Sequence, residues 1–212
     1  MRCLKVVVIA CLLVGCASAT ASYRGPDASV RPNYSKEINR PKDQVWNDAV
    51  AALGQRFFVI NNIDKASGLM NISYSGDPAR YVDCGRITIN VSGPNAKTQT
   101  LDAAAADARY ESVAPLPPYG LPGTVQVRRQ MALEGRVNVI FETIGPESTR
   151  ITTATRYVLT RKLAASHAQL PYSDTVGFNG NEKGSFPPLG ASPPLECVAT
   201  GELEKSILSV IK

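Results

Sequence analysis

One histidine, five cysteines and 18 carboxylates carry whatever chemistry this chain of 212 residues can do. His167 stands between Ser166 and Ala168 in a stretch without hydrophobic periodicity, where an imidazole is ordinarily solvated. A single imidazole argues against histidine-rich metal sites and against most relays in which a histidine activates a nucleophile. No Gly-x-Ser-x-Gly, Walker loop, His-Glu-x-x-His or dinucleotide glycine pattern occurs. Carboxylates alone can hydrolyse a substrate when a fold pairs two of them. Asp77 and Asp83 flank the segment before Cys84, but aspartates in turns ordinarily cap and solubilise. The expected catalytic set is therefore empty, and no metal site is expected. The densest mixed stretch, Asp77-Pro78-Ala79-Arg80-Tyr81-Val82-Asp83-Cys84-Gly85, offers Arg80 and Tyr81 as candidate partner-binding side chains, since both types are favoured at hot spots. The plainer reading of that stretch is a turn leading into a strand.

The compartment decides what the cysteines can do. Residues 1–16 read MRCLKVVVIACLLVGC, in which Arg2 and Lys5 precede an uncharged apolar run from Val6 to Val14. That run is too short to span a bilayer. It ends in Leu13-Val14-Gly15-Cys16, which resembles the lipobox of bacterial lipoproteins. The resemblance implies a signal peptide over 1–15, cleavage before Cys16 and a diacylglycerol on its thiol, with no other cofactor. It also implies sorting to the outer membrane, facing the periplasm, because Ala17 stands where the inner-membrane retention signal has an aspartate. An ordinary cleaved signal near Ala17-Ser18-Ala19 is the other reading. Several acyl chains on one cysteine, at about 0.8 kcal/mol per buried CH2, hold where one would not. Residues 16–33, small and polar, then read as a lipidated tether.

Cys3 and Cys11 leave with such a signal, so Cys84 and Cys197 remain as a pair in an oxidising compartment. A disulfide is the expected use. It would close a loop of 113 residues, for which the chain-entropy model gives about 4.7 kcal/mol. A thiol nucleophile or a metal-ligating pair is the sharper alternative, although neither cysteine lies in a Cys-x-x-Cys motif. The formal net charge is +5, with basic residues scattered rather than gathered in a stripe among aromatics. Nucleic acid is accordingly not an expected partner. Mild positive charge better suits a surface near anionic lipid or peptidoglycan.

The elements that must position these groups follow from periodicity. Pro41 suits a first helical position and Asp43 a first turn, while Trp46, Ala49, Val50, Leu53 and Phe57 recur at helical spacing, predicting a helix from 41 to about 56. Tyr34 to Ile38 reads as a short preceding strand. Phe58 to Ile63 and Leu69 to Tyr74 form a hairpin about Asp64-Lys65-Ala66-Ser67-Gly68, and Arg86 to Val91 adds a third strand. Leu101 to Tyr110 reads as a helical turn or as a strand of small residues, and Pro115 to Gly123 as an irregular loop. Gln126 to Thr143 and Ile151 to Lys162 are long strands, with Gly135 placed for a bulge and Arg128, Arg129 and Arg136 read as solvated edge positions. Residues 165–196 read as a long polar loop or lid, and Thr200 to Ile211 as a closing helix. Satisfying every apolar face at once predicts an α+β fold. An antiparallel sheet of about five to six strands would carry an N-terminal and a C-terminal helix on one face, in a single domain over 34–212.

The run Pro41-Lys42-Asp43-Gln44-Val45-Trp46 through Leu53, then Phe57-Phe58-Val59-Ile60 and Asp64-Lys65-Ala66-Ser67-Gly68-Leu69-Met70, resembles the domains of BamC-type lipoproteins of the β-barrel assembly machinery. The resemblance implies a helix-grip fold and an accessory, non-enzymatic role, and it carries no functional residue over. The expected function is an interaction or scaffold module of an envelope assembly, anchored to the outer membrane and bound to an envelope protein partner. A periplasmic lipid- or small-ligand-binding lipoprotein is the alternative, for which a continuous apolar cavity beneath the C-terminal helix would speak. A cell-wall or lipid hydrolase comes third.

Overall fold

The computed structural model describes residues 18–27, 29, 34–56, 58–93, 96–116, 121–166, 172–188 and 194–212. Residues 1–15, expected as a signal peptide, and Cys16, Phe57 and His167 lie outside them. The chain runs β1 (Ser18–Arg24), β2 (Tyr34–Ile38), α1 (Lys42–Gly54), β3 (Val59–Asp64), β4 (Leu69–Gly76), α2 (Pro78–Tyr81), β5 (Val82–Asp83), β6 (Arg86–Ser92), β7 (Lys97–Asp102), β8 (Asp107–Leu116), β9 (Leu121–Gly145), β10 (Ser148–Ala165), β11 (Tyr172–Asn179), β12 (Lys183–Phe186), β13 (Leu195–Ala199) and α3 (Glu202–Val210).

The α+β, helix-grip-like expectation is thereby corrected. Strands form three sheets, and helices are limited to 13, 4 and 9 residues, so the protein is mostly β. Three stretches account for the difference. Residues 18–24, expected as tether, pair along their whole length with β6. Lys97–Asp102 and Asp107–Leu116 form β7 and β8, and β11, β12 and the start of β13 lie within 165–196, where a loop was expected. None of these has a strong apolar alternation of its own. Small and polar residues take the extended form when a neighbouring strand supplies the hydrogen bonds, because β preference reports context more than backbone.

The spine is the antiparallel pair β9–β10, 25 and 18 residues long. Each strand of the spine changes partner halfway. β9 pairs with β8 over its first half and with β4 over its second, while β10 pairs with β2 and then with β11. Beyond β4 lies β3, at the end of the seven-stranded sheet. Along β9 burial alternates strictly: Met131, Leu133, Val137, Val139 and Phe141 face the core, and the residues between them face solvent. The core is closed by Val45, Trp46, Ala49 and Leu53 of α1 and by Leu203 and Ile207 of α3. Gly135 is not a bulge, since its pairing with Tyr157 is continuous with its neighbours. It makes room: a Cβ there would stand 2.8 Å from Leu203 Cδ2. Register shifts occur instead in β3, where Asn61 is the extra residue, and in the β9–β10 pair at Ser148 and Thr149.

Two smaller sheets, β1–β6–β7 and β12–β13–β5, meet at the corner of Cys84 and Gly85. Cys84 is bonded to Cys197 of β13, S–S 2.04 Å. Gly85 turns the chain from β5 into β6 with φ +76°, and a Cβ there would lie 2.1 Å from the Arg24 carbonyl oxygen. A left-handed backbone costs a residue with a Cβ about 1–2 kcal/mol even without a clash. Gly85→Ala should therefore lower stability by at least about 1–2 kcal/mol, read by urea unfolding, and a loss under a few tenths would contradict this packing. The same corner holds β1, because the Tyr23 hydroxyl donates to the Glu196 carbonyl at 3.1 Å and accepts from the Glu196 N–H at 3.0 Å.

Candidate functional site

The solvent face of the large sheet is where polar side chains gather. β9 turns Glu134, Arg136 and Asn138 outward, and β4 turns Asn71, Ser73 and Ser75 the same way. The bulge brings Asn61 alongside them. A run of amides crosses three strands: Asn61 Nδ2 donates to Asn71 Oδ1 at 2.9 Å, and Asn71 Nδ2 donates to Asn138 Oδ1 at 2.7 Å. Ser73 donates its hydroxyl to Asn61 Oδ1 at 3.3 Å. Two open clefts lie over this face. One of about 520 Å3 extends toward β3, between Val59, Asn61 and Glu134. The other, about 440 Å3, extends toward β11, over Ala154, Arg156, Asn179 and Asn181. Asn71 and Arg136 line both, so the two make one groove across the strands.

Beneath the second cleft lies a buried carboxylate. Gly180 lines the cleft, and a Cβ on it would come within 3.1 Å of Glu204 Oε1. Glu204 sits in the first turn of α3 and is 3% exposed. The Tyr157 hydroxyl lies 2.9 Å from each Glu204 oxygen and donates to the carboxylate. Burial, and then the charge and hydrogen bond of Glu204, push the Tyr157 pKa up, so it remains a neutral donor. The sign for stability follows. A group whose native pKa exceeds its unfolded value, near 10 for tyrosine, leaves stability intact below about pH 10 and erodes it as pH rises beyond. Tyr81, pushed up to about 12 chiefly by burial, acts in the same direction. Tyr157→Phe should flatten the slope of unfolding free energy above about pH 10 by up to about 1.4 kcal/mol per pH unit. An unchanged slope in paired urea titrations would refute it.

The candidate partner residues separate. Arg80 is exposed, whereas Tyr81 is 3% exposed and packs edge-on against Tyr74 at 4.8 Å, with the Arg80 guanidinium 5.2 Å from the Tyr81 ring. Tyr81 is a core residue on which Arg80 rests. Asp77 accepts from the Ala79 N–H and caps α2, and Asp83 accepts from the Gly85 and Asp27 N–H groups. The edge reading of Arg128, Arg129 and Arg136 is corrected at all three, because β9 has a paired strand on either side, and the solvated reading fails at Arg129. Arg128 is exposed and binds Asp107 with two hydrogen bonds, and Arg136 lines the groove. Arg129 is 2% exposed, donates to the Asp102 carbonyl at 2.6 Å, and its Nε and Nη1 have no acceptor among the described residues. Burial lowers its pKa. A second buried arginine, Arg161, pairs with Asp174 through Nε and Nη2 at 2.9 and 2.6 Å.

The signal for this inside–outside split was present in the sequence. In a strand, adjacent Arg128 and Arg129 must point to opposite faces. The amide run had no such signal, because Asn61, Asn71 and Asn138 meet only through strand pairing. Among the described residues no three of histidine, cysteine, aspartate and glutamate come together as a metal-ligating set, and no helix is long and apolar enough to cross a membrane. Comparison with known protein families, curated proteins and solved structures finds no match for this chain.

Proposed function

We propose that this chain is a non-catalytic lipoprotein, held by Cys16 to the outer membrane and facing the periplasm, that serves as an interaction module in an envelope assembly. The observation that carries the reading is the contrast between a closing helix packed onto the spine through Leu203, Ile207 and Leu208 and an open polar groove on the other face. Beneath the closing helix, where an enclosed ligand would sit, Leu203 packs closely on Gly135. The groove offers donors and acceptors to solvent along five strands, and beside it β3 ends the sheet with Val59 61% exposed. An end strand with an exposed apolar side chain is a template for another chain.

The test is photo-cross-linking in intact cells, with a photo-reactive residue at Val59 or Asn138 and, as a control, at Lys205 on the surface of α3. A discrete protein adduct from the first two positions and none from the third is expected. Adducts only to lipid, or none at all, would overturn the interaction reading and favour a carrier.

A further inference from the structure

Strand pairing sets two arginines against each other. Arg136 of β9 and Arg156 of β10 are direct cross-strand partners, and both are exposed. Like charges opposite each other destabilise a strand pair. Two other outward arginines of this spine each meet a carboxylate across the sheet, Arg128 with Asp107 and Arg150 with Glu37. Among the described residues Arg136 pairs only with Glu134, 3.9 Å away on its own strand. Arg156 forms no ion pair among the described residues.

The surroundings donate as well. One rung of the sheet reads Ser73, Arg136, Arg156, Asn179 across β4, β9, β10 and β11. In the next rung Asn138 faces Ala154, whose short side chain leaves open the cleft of about 440 Å3. A guanidinium carries five N–H donors and no acceptor, and each amide adds two donors.

We propose that this rung is a carboxylate-binding site and that its occupant is an acidic, extended segment of a partner protein. The proposal rests on the interaction-module reading. Charge complementarity selects the acid, because two adjacent guanidinia without a full counter-charge match planar carboxylates. The rest of the groove selects a peptide. Primary amides of Asn61, Asn71 and Asn138 present an acceptor beside donors, as a peptide group does. At the β3 end the exposed Val59 offers an apolar seat that a purely anionic ligand would not use.

The full chain, purified in neutral detergent, is titrated with a fluorescent Glu-Ser-Glu-Ser-Glu-Val peptide, its glutamine analogue, trigalacturonate and inorganic phosphate. The acidic peptide should bind saturably and more weakly as salt rises. The glutamine analogue and the R136Q/R156Q variant should each weaken binding about tenfold or more. R150Q, outside the rung, should leave binding within about twofold. Without peptide, R136Q/R156Q should melt at the wild-type temperature or above it, because a repulsive pair has gone. Equal binding of the glutamine analogue, or unchanged binding by R136Q/R156Q, would overturn the site. Tighter binding of trigalacturonate or phosphate would overturn the protein occupant. A cross-linked adduct at Asn138 that persists in R136Q/R156Q would leave the interaction module standing and remove this site, whereas absence of any adduct defeats the module itself.

Discussion

Removing the Cys84–Cys197 bond, by the double substitution to alanine, should lower the free energy of unfolding by about 2–5 kcal/mol. The bond joins residues 113 apart, and both cysteines are fully buried. In the chain-entropy account a link that long mainly restricts the unfolded chain. Its native position adds a second effect. Cys84 lies at the corner where β5 leads into β6, and Cys197 lies in β13, which pairs with β5 and β12. Releasing the bond frees both small sheets and, with them, the β1 strand latched through Tyr23 to Glu196. Urea unfolding of oxidised, reduced and doubly substituted protein measures the loss. Mass mapping of protein taken from its own compartment decides whether the bond is formed there. A linked peptide pair is expected, and two alkylatable thiols would reopen a redox role for the cysteines.

Trp46→Ala should cost about 3–5 kcal/mol, the range for truncating a large buried aromatic side chain. Trp46 is 3% exposed and meets Phe141 edge-on, ring centroids 5.1 Å apart. It is the largest side chain by which α1 is held to the spine, with Val45, Ala49 and Leu53 around it. The cavity would open between a helix and the second half of β9, whose far face carries Asn138. Trp46→Phe should recover most of the loss. A drop below about 1 kcal/mol for the alanine variant would mean that α1 repacks freely.

Different parts of the molecule were legible to different degrees. The helix around Trp46, the hairpin about Gly68 and the two long strands each carry their pattern within a short window. α1 (Lys42–Gly54), β3, β4, β9 and β10 appear close to the expected places. The expectation of one sheet missed two others because β1, β7, β8 and the strands after residue 172 have weak patterns and are extended only against their partners. Pairing between residues far apart in sequence depends on which other strands are free to accept them.

The candidate site shows the same division more sharply. The sequence by itself determined what could not be hidden: one histidine, two cysteines after residue 16, and a helix face whose spacing demanded a core. It also determined that two adjacent arginines in a strand take opposite faces. Only the tertiary structure decided that Arg136 would stand opposite Arg156, and that amides from β3, β4 and β9 would form one hydrogen-bonded run. The physical reason is register. A strand's own residues dictate which face each side chain takes, but the neighbour it meets depends on which strand pairs with it and by how many residues it is offset.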